Sequence, residues 1–199
     1  MAAKVEDDIE YVRLSDFGSN SADEVRNAFL DGKKHNVKGY ILDLRFNGGG
    51  LLDAAVDISS LFIPQGTIVS TIDRAGEREV RTASGHAIDA KPLVVLVNRY
   101  TASASEITAG AVQDYGVGTL VGEKTFGKGV VQSLYTLPDK GALKITTARY
   151  VTPKGRDIHK KGIQPDIVVT QKPELPIIDT AADKQLIEAK KIIESKSTD

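Results

Sequence analysis

Ser103 and Lys128 are the residues of this chain best suited to do chemistry together. Ser103 lies in the run TASASEI at 101–107, and Lys128 in the glycine-bracketed run GEKTFGKGVVQ at 122–132. A serine hydroxyl is a weak nucleophile until a neighbour takes its proton. Histidine is the usual acceptor, but His35, His86 and His159 all lie outside the serine-rich turn and the glycine-rich loop. Lysine can replace histidine when it is neutral. A free lysine has a pKa of about 10.4, and lowering it by about 3 units means a bias of about 4 kcal/mol against the ammonium. Burial supplies such a bias. Phe126, Gly127, Gly129, Val130 and Val131 flank Lys128 with apolar surface and no carboxylate, so the sequence predicts a buried lysine. On an extended segment, residues 128, 130 and 132 share one face, which lets Gln132 orient the lysine without charging it.

Each residue also has a purely structural reading. Ser103 and Glu106 have the spacing of a capping box at a helix start. That role is compatible with chemistry, because a helix N-terminus aims its amides at negative charge. The amide of Ala104 is then available to an oxyanion. Lys128 also reads as a solvated surface charge, as most lysines are. The run 122–128 also fits the first seven positions of a phosphate-binding loop. The eighth is Gly129 rather than Ser or Thr, and the following VVQSLY alternates like a strand instead of opening a helix. Nucleotide binding is therefore not expected.

The elements that must position these residues are legible from pattern. Residues 92–97 form an apolar run that predicts a buried strand, and 118–122 a second short one. Between them, the segment from about 103 to 115 has Ile107, Ala111 and Val112 on one side and predicts a helix, with Gly116 as its left-handed stop. Asp114, near that helix end, has two readings: it holds the loop carrying Lys128, or it is an exposed carboxylate. Upstream, 38–45 reads as a strand buried on both faces. It runs into Phe46-Asn47-Gly48-Gly49-Gly50 and an amphipathic helix over 51–62. Strand, glycine turn and helix together can present amides to an anion, or simply make a turn that only glycine permits. Both readings stand on the residues alone.

The rest of the chain supplies scaffold. Residues 9–14 predict a strand, and a capping box at 21–24 opens a helix to about His35, whose cationic last turn suits the helix dipole. The segments 67–72 and 77–82 predict a hairpin, as do 130–137 and 142–150 around Pro138-Asp139-Lys140-Gly141. A final strand is expected near 165–169. Pro173 and Pro176 mark a linker, and 180–195 reads as an amphipathic helix that docks on the core or on a partner. Strands alternating with helices, then hairpins, give an α/β domain with a mixed sheet and flanking helices.

Composition narrows the classes. With 26 basic against 27 acidic residues the net charge is −1, so no basic surplus points to nucleic acid or an anionic membrane. The chain has no cysteine, which excludes disulfides, thiol catalysis and cysteine–metal sites. No metal or cofactor site is expected. No apolar run is long enough to span a bilayer, and residues 1–8 carry no signal-peptide core. The start reads as a truncation.

TASASEI, QDYG at 113–116 and GEKTFGKGVVQ resemble the core of the C-terminal processing (tail-specific) peptidases, a family of Ser–Lys serine endopeptidases. Ser103 falls on the family nucleophile, Lys128 on the base, 25 residues away, and Gln132 on the glutamine that supports it. DLRFNGGG at 43–50 matches the family's DLRxNxGG, whose first paired glycine gives an oxyanion amide. That implies a hole made by Gly49 and Ala104, at roughly 3 kcal/mol per donor. YVTPKGR and GIQPDIVV near the end extend the match. Two departures stand out: Thr101 where serine is common, and Gly48 where proline is common. The resemblance implies a crotonase-like (ClpP/crotonase) spiral βαβ core over 1–172, with 173–199 as linker and helix, and a PDZ domain missing upstream. It implies cleavage of extended protein C-termini in an extracytoplasmic compartment, namely periplasm, cell envelope or organelle lumen. Three alternatives remain: an isolated core weakly active or inactive without its PDZ domain, a crotonase-like acyl-CoA enzyme, and a non-enzymatic peptide-binding scaffold.

Overall fold

Alternation along four central strands puts apolar side chains on both faces of one sheet, and two separate cores follow from it. A computed structural model describes residues 1–138, 141–171 and 181–197. Its strands are β1 (Ala2–Glu6), β2 (Ile9–Arg13), β3 (Gly39–Asp43), β4 (Thr67–Asp73), β5 (Arg78–Thr82), β6 (Leu93–Val97), β7 (Thr119–Gly122), β8 (Val130–Thr136), β9 (Ala142–Val151) and β10 (Ile167–Val168). The helices are α1 (Ser21–Lys34), α2 (Leu52–Ser60), α3 (Ala104–Tyr115) and α4 (Lys184–Lys196).

The main sheet has the order β1-β2-β3-β6-β7-β10. Its pairs are parallel except for the antiparallel β1–β2 edge. On one face Val12, Leu42, Leu44, Val95, Val97 and Leu120 pack with Val25 and Phe29 of α1, Ala55 and Ile58 of α2, and Ile107 and Val112 of α3. On the other, Ile9, Tyr11, Ile41, Val94, Leu96 and Val121 receive Leu186, Ala189 and Ile193 of α4. A sheet buried on both faces needs these near-continuous apolar strands. A second, antiparallel sheet has the order β5-β4-β9-β8.

Most predicted elements are present to within a few residues. Two details differ. β1 was not expected; its exposed residues carry no burial pattern to read. The cap of α1 is Asn20 rather than Ser21, because Ser21 already lies in the first turn and donates its hydroxyl to the Gly18 carbonyl at 2.8 Å. The C-terminal helix docks on the core, capped by Asp183, which accepts the Leu186 amide. The linker prolines Pro173 and Pro176 and the turn residues Asp139 and Lys140 lie outside the described residues.

α4 is tied to the sheet by more than apolar contact. The guanidinium of Arg45, just beyond β3, pairs with Asp43 at 2.6 Å and with Asp183 at 2.7 Å, and these side chains are 1%, 0% and 0% exposed. Gln185 accepts a further bond from Arg45, and Tyr11 donates its hydroxyl to Asp43. Burial alone works against the guanidinium charge, but the two carboxylates more than offset it and hold Arg45 protonated.

Candidate active site

Ser103 caps α3 from a backbone conformation that non-glycine residues seldom adopt, φ 57° and ψ −119°. Such a conformation costs on the order of 1–3 kcal/mol and persists only where its surroundings enforce it. The enforcing contacts are on both sides. Thr101 donates its hydroxyl to the Leu44 carbonyl, and the Ala102 amide donates to the Asn47 carbonyl. The turn is thereby fastened to the strand end that carries the glycine run. Glu106, one turn into α3, accepts the Ser103 amide at 2.9 Å, one arm of the expected capping box, which is present.

Glycine at 49 is a steric requirement. Its φ is +102°, and a Cβ there would lie 2.7 Å from the Ser103 Cβ and 2.9 Å from the Ala104 nitrogen. Gly49 therefore sits directly against the Ser103–Ala104 corner. The Ala104 amide, first in its helix, has no acceptor among the described residues. The Gly49 amide does have one, the Asn47 Oδ1 at 2.8 Å. The corner brings the two oxyanion candidates together, with one of their donors already engaged.

Lys128 departs from the buried-base reading and follows the surface one. Its backbone is anchored, but its side chain is exposed rather than buried. The cause lies in the bracketing glycines. Gly129 packs against the backbone of His159 so closely that a Cβ would fall 2.4 Å from its nitrogen, and the Gly127 carbonyl accepts the Lys160 amide. The main chain is pressed inward, and the lysine projects outward. Neither side chain of the Ser103–Lys128 pair donates to the other. Gln132 is exposed as well, and the β8–β9 register slips between Val131 and Gln132.

The residue that sequence reasoning undervalued is Glu106. Its carboxylate is fully buried, and its reach extends well beyond the cap. Oε2 accepts the amides of Ser103 at 2.9 Å and Lys128 at 2.8 Å, while Oε1 accepts the Gly127 amide at 2.6 Å and the Thr125 hydroxyl at 2.5 Å. The local flanks of Lys128 hold no carboxylate, but α3 delivers one from 22 residues away. The burial of Glu106 was the missing signal, and composition cannot reveal it.

Asp114 follows neither expectation. It is buried, accepts the Lys154 amide at 2.8 Å and pairs with Arg156 at 2.5 Å. It fastens the 152–156 turn, not the loop of Lys128. The run 122–129 leads into β8 rather than a helix, as the phosphate-loop argument requires.

Peptidase family S41 matches residues 8–169 of this chain. The chain belongs to peptidase family S41. It is 54% identical over 163 residues to the carboxyl-terminal-processing protease of Synechocystis sp., which spans 82% of this chain and 38% of that protein. It is 41% identical over 172 residues to the carboxy-terminal processing protease CtpA of Bacillus subtilis, at 86% of this chain and 36% of the relative. The structure of a photosystem II D1 C-terminal processing protease superposes with a TM-score of 0.79 at 42% identity, covering 96% of this chain and 47% of the other. The chain thus spans less than half the length of these S41 relatives. The S41 fold extends to more distant structures, among them an S41 protease from Bacteroides fragilis at 20% identity and a TM-score of 0.74.

Proposed function

We propose that this chain is the catalytic core of a serine endopeptidase that cuts peptide bonds near protein C-termini with a Ser103–Lys128 dyad. The observation that carries the reading is the double grip of Glu106 Oε2 on the amides of Ser103 and Lys128, which sets the two loops side by side whatever their side chains do. In this mechanism Lys128 takes the Ser103 proton as the hydroxyl oxygen attacks the scissile carbonyl. The Ala104 amide, joined by Gly49 once its amide leaves Asn47, receives the oxyanion. The C–N bond then breaks and the lysine passes its proton to the leaving amine. Water takes the place of the amine, and its attack on the acyl-serine returns the enzyme. Gln132 steadies the lysine.

A second reading rests on two specific observations. Lys128 is exposed, and the Gly49 amide is engaged, so the geometry described is a resting one that a bound peptide or a further domain completes. Dehydration of the lysine accompanies that step and supplies the bias a neutral amine needs. Extended protein tails are the proposed substrates, and an extracytoplasmic compartment the proposed site of action. No helix among the described residues is long and apolar enough to cross a membrane. Labelling with a small serine-directed phosphonylating probe, read by mass spectrometry, tests the site itself. Modification at Ser103, lost on unfolding and lost in Lys128→Ala, is expected; labelling at another serine overturns it.

A further inference from the structure

Two turns that frame the candidate nucleophile each end in an exposed aromatic ring, and the rings meet. Phe46, first residue of the glycine run, and Tyr100, three residues before Ser103, stack at a centroid distance of 5.2 Å and an interplanar angle of 19°. They are 37% and 46% exposed. The guanidinium of Arg99 lies over the Tyr100 ring at 5.1 Å, which adds a cation–π contact. Both residues are held at the main chain by one group. The buried Asn98 carboxamide oxygen accepts the Phe46 amide and the Tyr100 amide, each at 3.1 Å.

Folding alone does not account for this arrangement. Phe46 has φ +61°, where a bulky residue is strained and glycine or asparagine is not. Burial of the ring would repay that strain, yet the ring stays partly in water. The stack stands at the C-terminal ends of the parallel strands β3 and β6, the edge at which open α/β sheets bind ligands. It is continuous with the Gly49–Ser103 corner through residues 46–49 and 100–103. On the next turn Phe126 is 65% exposed, and its amide donates to the Thr101 carbonyl.

We propose that Phe46 and Tyr100, propped by Arg99, form a rigid shelf that takes an apolar side chain of the substrate peptide beside the scissile bond. The occupant is an extended peptide with an aliphatic or aromatic residue there, because a flat prefixed ring pair offers contact area at little ordering cost. The proposal rests on the peptidase reading for its substrate, and it sets the specificity of that site.

The test is peptide binding in the Ser103→Ala background, followed by fluorescence anisotropy, so that no turnover is needed. Labelled decapeptides differ at one position, leucine or phenylalanine against serine, scanned along the sequence. Phe46→Asn removes the ring and suits the left-handed backbone, and Tyr100→Ser removes the second ring. At one scanned position, the apolar peptide is expected to bind the Ser103→Ala protein roughly tenfold more tightly than the serine peptide. Each ring substitution is expected to abolish that difference while leaving the serine peptide unchanged. Equal weakening of all peptides, or an undiminished preference, overturns the shelf. If the preference is present but the unsubstituted protein cleaves nothing and its Ser103 takes no phosphonylating probe with peptide bound, the peptidase reading fails and the shelf stands as a peptide-binding site.

Discussion

Ser103 and Lys128, 25 residues apart in sequence, donate their backbone amides to the same carboxylate oxygen of Glu106, at 2.9 and 2.8 Å. A buried carboxylate with four donors is held by charge-assisted bonds, and glutamine cannot replace it. A carboxamide keeps one acceptor oxygen and turns an NH2 toward the other pair of donors, so the Gly127 amide is stranded. Glu106→Gln is expected to lower stability by roughly 3 kcal/mol and peptide cleavage by at least tenfold at temperatures where the variant remains folded. Thermal unfolding beside cleavage rates separates the two effects. A variant with wild-type cleavage would show that the shared anchor does not position the pair.

The Arg45 cluster predicts a stability effect remote from the reacting atoms. Arg45→Met removes the cation between Asp43 and Asp183, both fully buried, and leaves two carboxylates without it. A loss of about 3–5 kcal/mol is expected, with earlier proteolytic release of the α4 segment. Asp183→Asn keeps a hydrogen-bonding cap and should cost less. Urea unfolding of the three proteins checks the order.

Glu10 predicts a dependence of stability on pH. It is 3% exposed, and its Oε2 has no hydrogen-bond partner among the described residues. Gly32 of α1 leaves room for it, since a Cβ there would fall 2.7 Å from that oxygen. Burial, reinforced by Asp31 and opposed by His35, raises the Glu10 pKa to about 7. The folded protein therefore favours the protonated acid. Below the unfolded pKa both states are protonated and nothing is lost. As pH rises from about 4.5 to 7, the unfolded chain releases its proton first, and up to about 3 kcal/mol of stability disappears. Glu10→Gln should remove that decline. Parallel stability curves for the two proteins between pH 4.5 and 8 would contradict the assignment.

Much of this architecture was legible because local signals and tertiary packing agree. The apolar runs at 39–43 and 93–97 are strands buried on both faces, and Gly116 does end α3 in the left-handed conformation. The fit of Gly49 against Ser103 was foreshadowed by the glycine run. Which of the two readings of Lys128 holds was not legible, because apolar flanks say nothing about which side of the chain packs inward. The packing of Gly129 on His159 decides that, across 30 residues. Asp114 was misread for a similar reason, since its partners Lys154 and Arg156 arrive from a distant turn.

Gly48 predicts a gain. It is exposed, its amide has no acceptor among the described residues, and a Cβ there would meet nothing within 4 Å. Its φ is not in the left-handed range. Proline at that position would cost no hydrogen bond and would restrict the unfolded chain. Gly48→Pro is expected to stabilise by about 0.5 kcal/mol and to leave cleavage equal or faster. A fall in melting temperature would show that the turn needs the freedom of glycine.

The most direct test is cleavage of an unstructured polypeptide with an apolar C-terminal tail, followed against pH by the parent protein, Ser103→Ala and Lys128→Ala. The account predicts cuts near the C-terminus by the parent protein and none by either variant, with the rate rising with pH. Cleavage by Ser103→Ala, or an unchanged rate in Lys128→Ala, would contradict the Ser–Lys dyad.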